Sequence, residues 1–177
     1  LRSIPGITII SPADSFETVK ALEASLKHTN SVYIRLTGSS NNPIVYDKDY
    51  NFEIGKSIKL AEGKDITIFC TGSMVYNSLQ AAKKLSEKNI SSTVINMHTI
   101  KPLDVKAVEE ACSSSKMIIS VEEHNIIGGL GSAISEQKSK ISNSPKLLTI
   151  GVEDQYSKGG SYKFLLEKHG LTSEKIA

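Results

Sequence analysis

Cysteine is scarce in this sequence: Cys70 lies in an apolar run, Cys112 in a helical pattern, and there is no third. Two residues so far apart give no metal-ligand or redox spacing and exclude a disulfide-stapled scaffold. They read as buried thiols in a reducing compartment, which points to the cytoplasm. Charge of one sign is equally lacking. The 21 basic and 19 acidic residues are interspersed, for a formal net charge of +2, so no block marks a nucleic-acid footprint or a polybasic membrane patch. No apolar run approaches the roughly 20 residues of a membrane-spanning helix, and no basic segment followed by a short apolar run opens the chain. Arginine is the third rarity, with Arg2 and Arg35 standing alone among many lysines. What is present is a 39% hydrophobic complement over 177 residues, enough for one sizeable core and part of another.

The periodicity assigns that complement. Residues 7–11 read as a short strand and residues 14–28 as a helix. Asp14 suits its N-cap with Glu17 three residues on, while Phe16, Val19, Leu22 and Leu26 recur at helical spacing as one apolar face. Residues 31–36 return as a strand, completing a βαβ unit. Two parallel strands and one helix cannot cover both faces of a parallel sheet, so residues 1–50 read as the tail of a larger α/β domain. Residues 37–50, rich in Gly, Ser, Asn and Asp, form its loop or linker. From residue 51 to 177 the pattern alternates. Strands are predicted at 52–60, 66–71, 93–97, 117–121 and 147–152, and helices at 75–88, 103–112, 130–141 and 162–169. The expected fold class is therefore α/β, a doubly wound, mostly parallel sheet with helices on both faces, preceded by the βαβ remnant of a second α/β domain.

In such a sheet, ligands bind beyond the carboxyl ends of the strands. The segments there are 71–73, 98–104, 122–125 and 153–156. Gly128, Gly129 and Gly131 open a helix, but their spacing misses the dinucleotide fingerprint and no P-loop Lys-Ser/Thr follows. They are either a phosphate cradle or a tight strand-to-helix turn. Glu122, Glu123 and His124 invite a metal or acid–base reading. In extended chain only Glu122 and His124 share a side, too few for a zinc site, which favours a structural or interface role. Residues 99–104 read as a turn with Pro102 ahead of a helix that Asp104 caps. Arg35 stands at the end of an apolar strand, where its planar fork suits a phosphate or carboxylate better than lysine does. The alternative is an interdomain salt bridge.

Nine motifs in order then carry a resemblance. They are Ser3-Ile4-Pro5-Gly6, Ser11-Pro12-Ala13-Asp14, Val32-Tyr33-Ile34-Arg35, Ile54-Gly55-Lys56, Glu62 to Thr67, Thr71-Gly72-Ser73, Ile100 to Asp104, Glu122-Glu123-His124 and Gly128 to Ser132. Together they resemble the transketolase family of thiamine-diphosphate enzymes, with 1-deoxyxylulose-5-phosphate synthase and the β subunits of 2-oxoacid dehydrogenases as close relatives. The resemblance makes residues 1–50 the end of a pyrimidine-binding domain and residues 51–177 a complete C-terminal domain. It implies a parent enzyme that moves two-carbon ketol units between sugar phosphates with thiamine diphosphate and magnesium, as a homodimer. Arg35 matches the family's sugar-phosphate contact, and Glu122 to Asn125 with the glycine turn match a domain or subunit contact, a regulatory anion site being the other reading. Nothing here matches the Gly-Asp-Gly metal motif or the glutamate that activates the cofactor. The sequence is thus expected to be a fragment or the end of a split subunit, partnered by the remaining domains or an N-terminal subunit, binding no cofactor and inactive alone. A ligand-free assembly module is the reading from outside enzymes.

Overall fold

Strand β1 (Thr8–Ile10), helix α1 (Ser15–Leu26) and strand β2 (Val32–Ile34) form the expected βαβ unit in the computed structural model, which describes residues 1–37 and 42–177. Asp14 caps α1, its carboxylate accepting the Glu17 amide at 2.8 Å, as the sequence pattern requires. Of the predicted loop over 37–50, residues 38–41 lie outside the described residues.

The remaining chain supplies β3 (Ile58–Ala61), β4 (Ile66–Cys70), α2 (Met74–Glu87), β5 (Ser92–Asn96), β6 (Thr99–Lys101), α3 (Val105–Ser114), β7 (Met117–Asn125), α4 (Leu130–Lys138), β8 (Lys146–Val152), α5 (Tyr162–Lys168) and α6 (Ser173–Ile176). Five strands order as β3-β5-β4-β7-β8, all neighbours parallel except β3 with β5. Successive strand residues point to opposite faces, and the core divides accordingly. Ile68, Cys70 and Val121 pack with Val75, Leu85 and Leu171 on one side, and Phe69, Ile95 and Ile118 with Val108, Leu130 and Ile134 on the other. Both faces are covered, which is the doubly wound arrangement. Burial pushes the Cys70 thiol up to about 12, so it is an inert core group.

Four local expectations differ. The turn predicted at 99–104 begins as β6, which pairs antiparallel with β1 and gives a second sheet, β2-β1-β6; a three-residue strand is fixed by its partner, not by its own pattern. The strand expected over 52–60 is confined to β3 at the antiparallel edge, β7 runs four residues past its predicted end, and α6 was not foreseen. Helix α1 carries the apolar face that its spacing predicts. Its apolar stripe is left outward, with Phe16, Val19, Leu22 and Leu26 at 37%, 56%, 54% and 80% exposure, while Glu17 and Ala21 are buried. The other side of the helix receives residues 45–50: Asp14 Oδ2 accepts the Val45 amide at 2.7 Å and the Tyr46 amide at 3.3 Å, and Glu17 Oε1 accepts the Tyr50 hydroxyl at 2.7 Å.

Candidate functional site

The carboxyl ends of β1, β2, β4 and β7 face one cleft of about 550 Å³. It brings together Arg35, Glu122, Glu123, His124, Gly128 and Gly129, while Gly131 lies outside its lining. Each of the sequence-predicted residues has a distinct place.

Glu122 is buried, and its carboxylate turns back onto the start of α4: Oε2 accepts the Leu130 amide at 2.7 Å and Oε1 the Gly131 amide at 2.8 Å. Free amides at a helix N-terminus form an anion site, and here a carboxylate of the chain itself fills it. Burial pushes the Glu122 carboxyl up, against the pull of the two amides and of the His124 and Arg35 charges. The glycines follow from this geometry. A Cβ on Gly129 would stand 1.9 Å from Glu122 Oε2, and one on Gly131 2.5 Å from Thr149 Cγ2, so carboxylate and β8 both need the missing side chains. Gly128 has φ +77°, in the left-handed region where glycine is unstrained. Gly129→Ala is therefore expected to expel the Glu122 cap and lower unfolding free energy by about 2 kcal/mol, read as a shifted urea midpoint. An unchanged midpoint would show that the cap contributes nothing.

His124 is half exposed. Its Nδ1 lies 2.7 Å from Asn125 O and 3.9 Å from Glu122 Oε2. Among the described residues no group of three or more His, Cys, Asp or Glu is placed to hold a metal ion.

Glu123 points the other way, between two elements. Its Oε2 accepts the Tyr162 hydroxyl of α5 at 2.7 Å and the hydroxyl of Ser73 at the start of α2. Burial, with the Glu123 carboxylate beside it, pushes the Tyr162 phenol well above its usual range. Arg35 follows β2, its amide donating to Ile10 O at 2.8 Å, and its Nη2 donates to the main-chain oxygen of Glu123 at 2.7 Å. The arginine thus spans from one sheet to the other through a carbonyl, whereas the sequence alternative was a salt bridge.

Sequence reasoning missed Arg2. Its guanidinium forks onto the Glu136 carboxylate, Nη1 to Oε2 at 2.9 Å, and its Nε donates to Gly128 O at 3.1 Å. The Glu136 hydrogen bond raises its pKa further. Its rarity was the available signal. Tyr162 was missed too, and nothing local announces a contact made 39 residues away.

Residues 55–176 match the family model described as the transketolase C-terminal domain. A putative transketolase C-terminal section from Methanocaldococcus jannaschii is 35% identical over the whole of this chain and 55% of its own length. A 1-deoxy-D-xylulose-5-phosphate synthase from Dictyoglomus thermophilum is 38% identical over the whole chain and 29% of its own length. A solved structure described as a split-gene transketolase, an inactive β4 tetramer, superimposes with a TM-score of 0.89 at 35% identity, covering 99% of this chain and 56% of that one. The chain therefore spans about half, or less, of the proteins it matches. A family match across two thirds of the chain, on a doubly wound sheet of the expected class, leads to one assignment: the chain belongs to the transketolase C-terminal domain family.

Proposed function

We propose that this chain is the sugar-phosphate-holding and subunit-assembling portion of a transketolase that moves two-carbon ketol units between sugar phosphates. The observation that carries the reading is the unfinished N-terminal layer. Strand β2 ends its sheet with one edge unpaired among the described residues, and α1 turns four large apolar side chains outward. A parallel sheet is stable only when both faces are covered, and an exposed patch of this kind marks an interface. Residues 1–50 are the end of a pyrimidine-binding domain whose remainder covers this layer, and residues 51–177 are the C-terminal domain, through which two copies pair. Arg35 takes the phosphate of the sugar; Glu122 to His124 and the glycine turn form the contact between the two layers.

Thiamine diphosphate, when bound, supplies the electron sink for the two-carbon unit. The residues of this chain do not fit it: the α4 amides that would cradle a diphosphate hold Glu122, and no acidic cluster offers magnesium a seat among the described residues. We place both in the N-terminal half of the enzyme. We place the working compartment in the cytoplasm, where the free thiols of Cys70 and Cys112 stay reduced.

The test is titration of the chain with thiamine diphosphate and magnesium, then assay with xylulose 5-phosphate and ribose 5-phosphate, alone and with the N-terminal half. The expected outcome is no heat and no turnover alone, and turnover once the halves are mixed. Binding or turnover by the chain alone would reverse the assignment. Turnover with pyruvate and glyceraldehyde 3-phosphate instead would select the deoxyxylulose-phosphate synthase reading, the activity for which one 38% identical relative is named. Leu22→Glu tests the interface. This exposed position should leave the chain's own unfolding free energy within about 0.5 kcal/mol while weakening association with the N-terminal half in sedimentation; unaltered association would remove α1 from that surface.

A further inference from the structure

Arg35 is oriented by the C-terminal domain, not by the sheet that carries it. Its Nη2 donates to Glu123 O at 2.7 Å, and Glu123 sits where the β7–β8 pairing shifts register, between Val121 and Asn125. At a register shift the ladder no longer fixes the backbone, so the carbonyl that aims Arg35 needs another restraint. The Glu123 side chain provides it. Its Oε2 accepts the hydroxyls of Ser73 and Tyr162 together, tying this point of β7 to the starts of α2 and α5. Neither hydroxyl has a duty to its own helix. Ser73 makes no capping hydrogen bond at α2, and α5 is capped by Ser161.

We infer that Ser73, Glu123 and Tyr162 form a positioning clamp for Arg35, through which the C-terminal domain sets the affinity of the enzyme for the phosphorylated end of its sugar. The inference rests on the proposed reading of Arg35 as the phosphate contact. A carbonyl is the suitable partner for this purpose, because it orients the guanidinium without neutralising it, as a carboxylate would. None of the three clamp residues touches the substrate, and their effect is confined to the geometry of the fork. A fork misplaced by a fraction of an ångström loses part of its two-point contact with phosphate and nothing toward a sugar without one.

The experiment uses the enzyme assembled with its N-terminal half and compares ribose 5-phosphate with ribose as acceptor. Tyr162→Phe and Ser73→Ala each remove one hydroxyl from Glu123, and the double variant removes both. The double variant is expected to raise KM for ribose 5-phosphate about three- to tenfold, leaving kcat and the KM for ribose unchanged, with each single variant in between. A KM for ribose 5-phosphate equal to wild type overturns the clamp. So does an equal rise for both acceptors, since that marks a merely structural role. Arg35→Gln separates the two levels of the argument. If it leaves the ratio of the two KM values unchanged, the phosphate reading of Arg35 fails; if it collapses the ratio while the double variant preserves it, only the clamp fails.

Discussion

Glu17→Ala should lower the unfolding free energy of this chain by about 3 to 5 kcal/mol, measured by urea denaturation at pH 7. The wild-type carboxylate is fully buried and is the meeting point of three parts of the molecule. It accepts the Ala13 amide at 2.6 Å just before α1, the Asn96 side-chain amide of β5 at 2.9 and 3.0 Å, and the Tyr50 hydroxyl from the segment leading to β3 at 2.7 Å. Alanine leaves the Ala13 amide and the half-buried Tyr50 hydroxyl without this acceptor and strips Asn96 to its one other acceptor, the Tyr46 hydroxyl at 2.6 Å. An orphaned buried donor costs about 1–3 kcal/mol, and the lost side-chain volume adds a cavity term. A loss below about 1 kcal/mol would mean that the three donors find other partners and that the joint does not hold the two sheets together.

The same residue sets a pH dependence whose sign distinguishes it from ordinary surface carboxylates. Burial pushes the Glu17 carboxyl up, and the hydrogen bonds from Tyr50, Ala13 and Asn96 pull it only partly back. Its folded pKa therefore lies above the unfolded value of about 4.3, and the folded chain binds the proton more tightly than the unfolded one. The stability linked to this proton is fully present below about pH 4.3 and is lost as pH rises through the folded value, by at most about 1.4 kcal/mol per pH unit. Glutamine keeps an acceptor and a donor without the charge. Across that rise the unfolding free energy of Glu17→Gln should gain steadily on wild type, with Glu122, also raised, cancelling between the two. Parallel pH profiles for the two proteins would show that Glu17 does not titrate differently in the folded state.

Glu17 also marks the limit of what a single sequence discloses. Three residues after Asp14 it reads as the capping partner at a helix start, and the four apolar residues on the neighbouring turns read as one apolar face. The rule behind that reading is sound for a complete domain, where the apolar stripe finds its own sheet. Here the stripe is left outward, and within the chain the helix is held instead by its polar start. The alternating strands and helices after residue 60 were legible because period 2 and period 3.6 are local signals. So were the caps at Asp14 and Asp104, whose carboxylates accept amides three residues on. β6 was not, since its strand signal is a partner 89 to 92 residues earlier, Ile10 opposite Thr99 and Ile9 opposite Lys101. At the candidate site, the spacing of Gly128, Gly129 and Gly131 told against a dinucleotide cradle. That the anion filling the turn is Glu122, eight residues before Leu130, required the three-dimensional path of β7 into α4.

Arg35→Gln should raise KM for a sugar phosphate about 10- to 100-fold in the assembled enzyme while leaving kcat within about twofold. Phosphate is recognised by charge-assisted hydrogen bonds, each contributing about 1.5–3 kcal/mol, and every 1.4 kcal/mol is a factor of ten. Glutamine keeps the reach of the side chain but loses both the charge and the fork. Arg35→Lys restores charge without two-point geometry and should fall between glutamine and wild type. The phosphate end is remote from the carbon–carbon bond that is made and broken, so the loss belongs in KM. The chain itself reports the competing reading. Arg35→Gln also removes the hydrogen bond to Glu123 O, and on its own account this should lower unfolding free energy by about 1 kcal/mol. A fall in stability with KM unmoved would make Arg35 a strut between the two sheets, which is the bland reading of an arginine at a strand end. A rise in KM for ribose 5-phosphate, with KM for ribose held constant, assigns its fork to the phosphate.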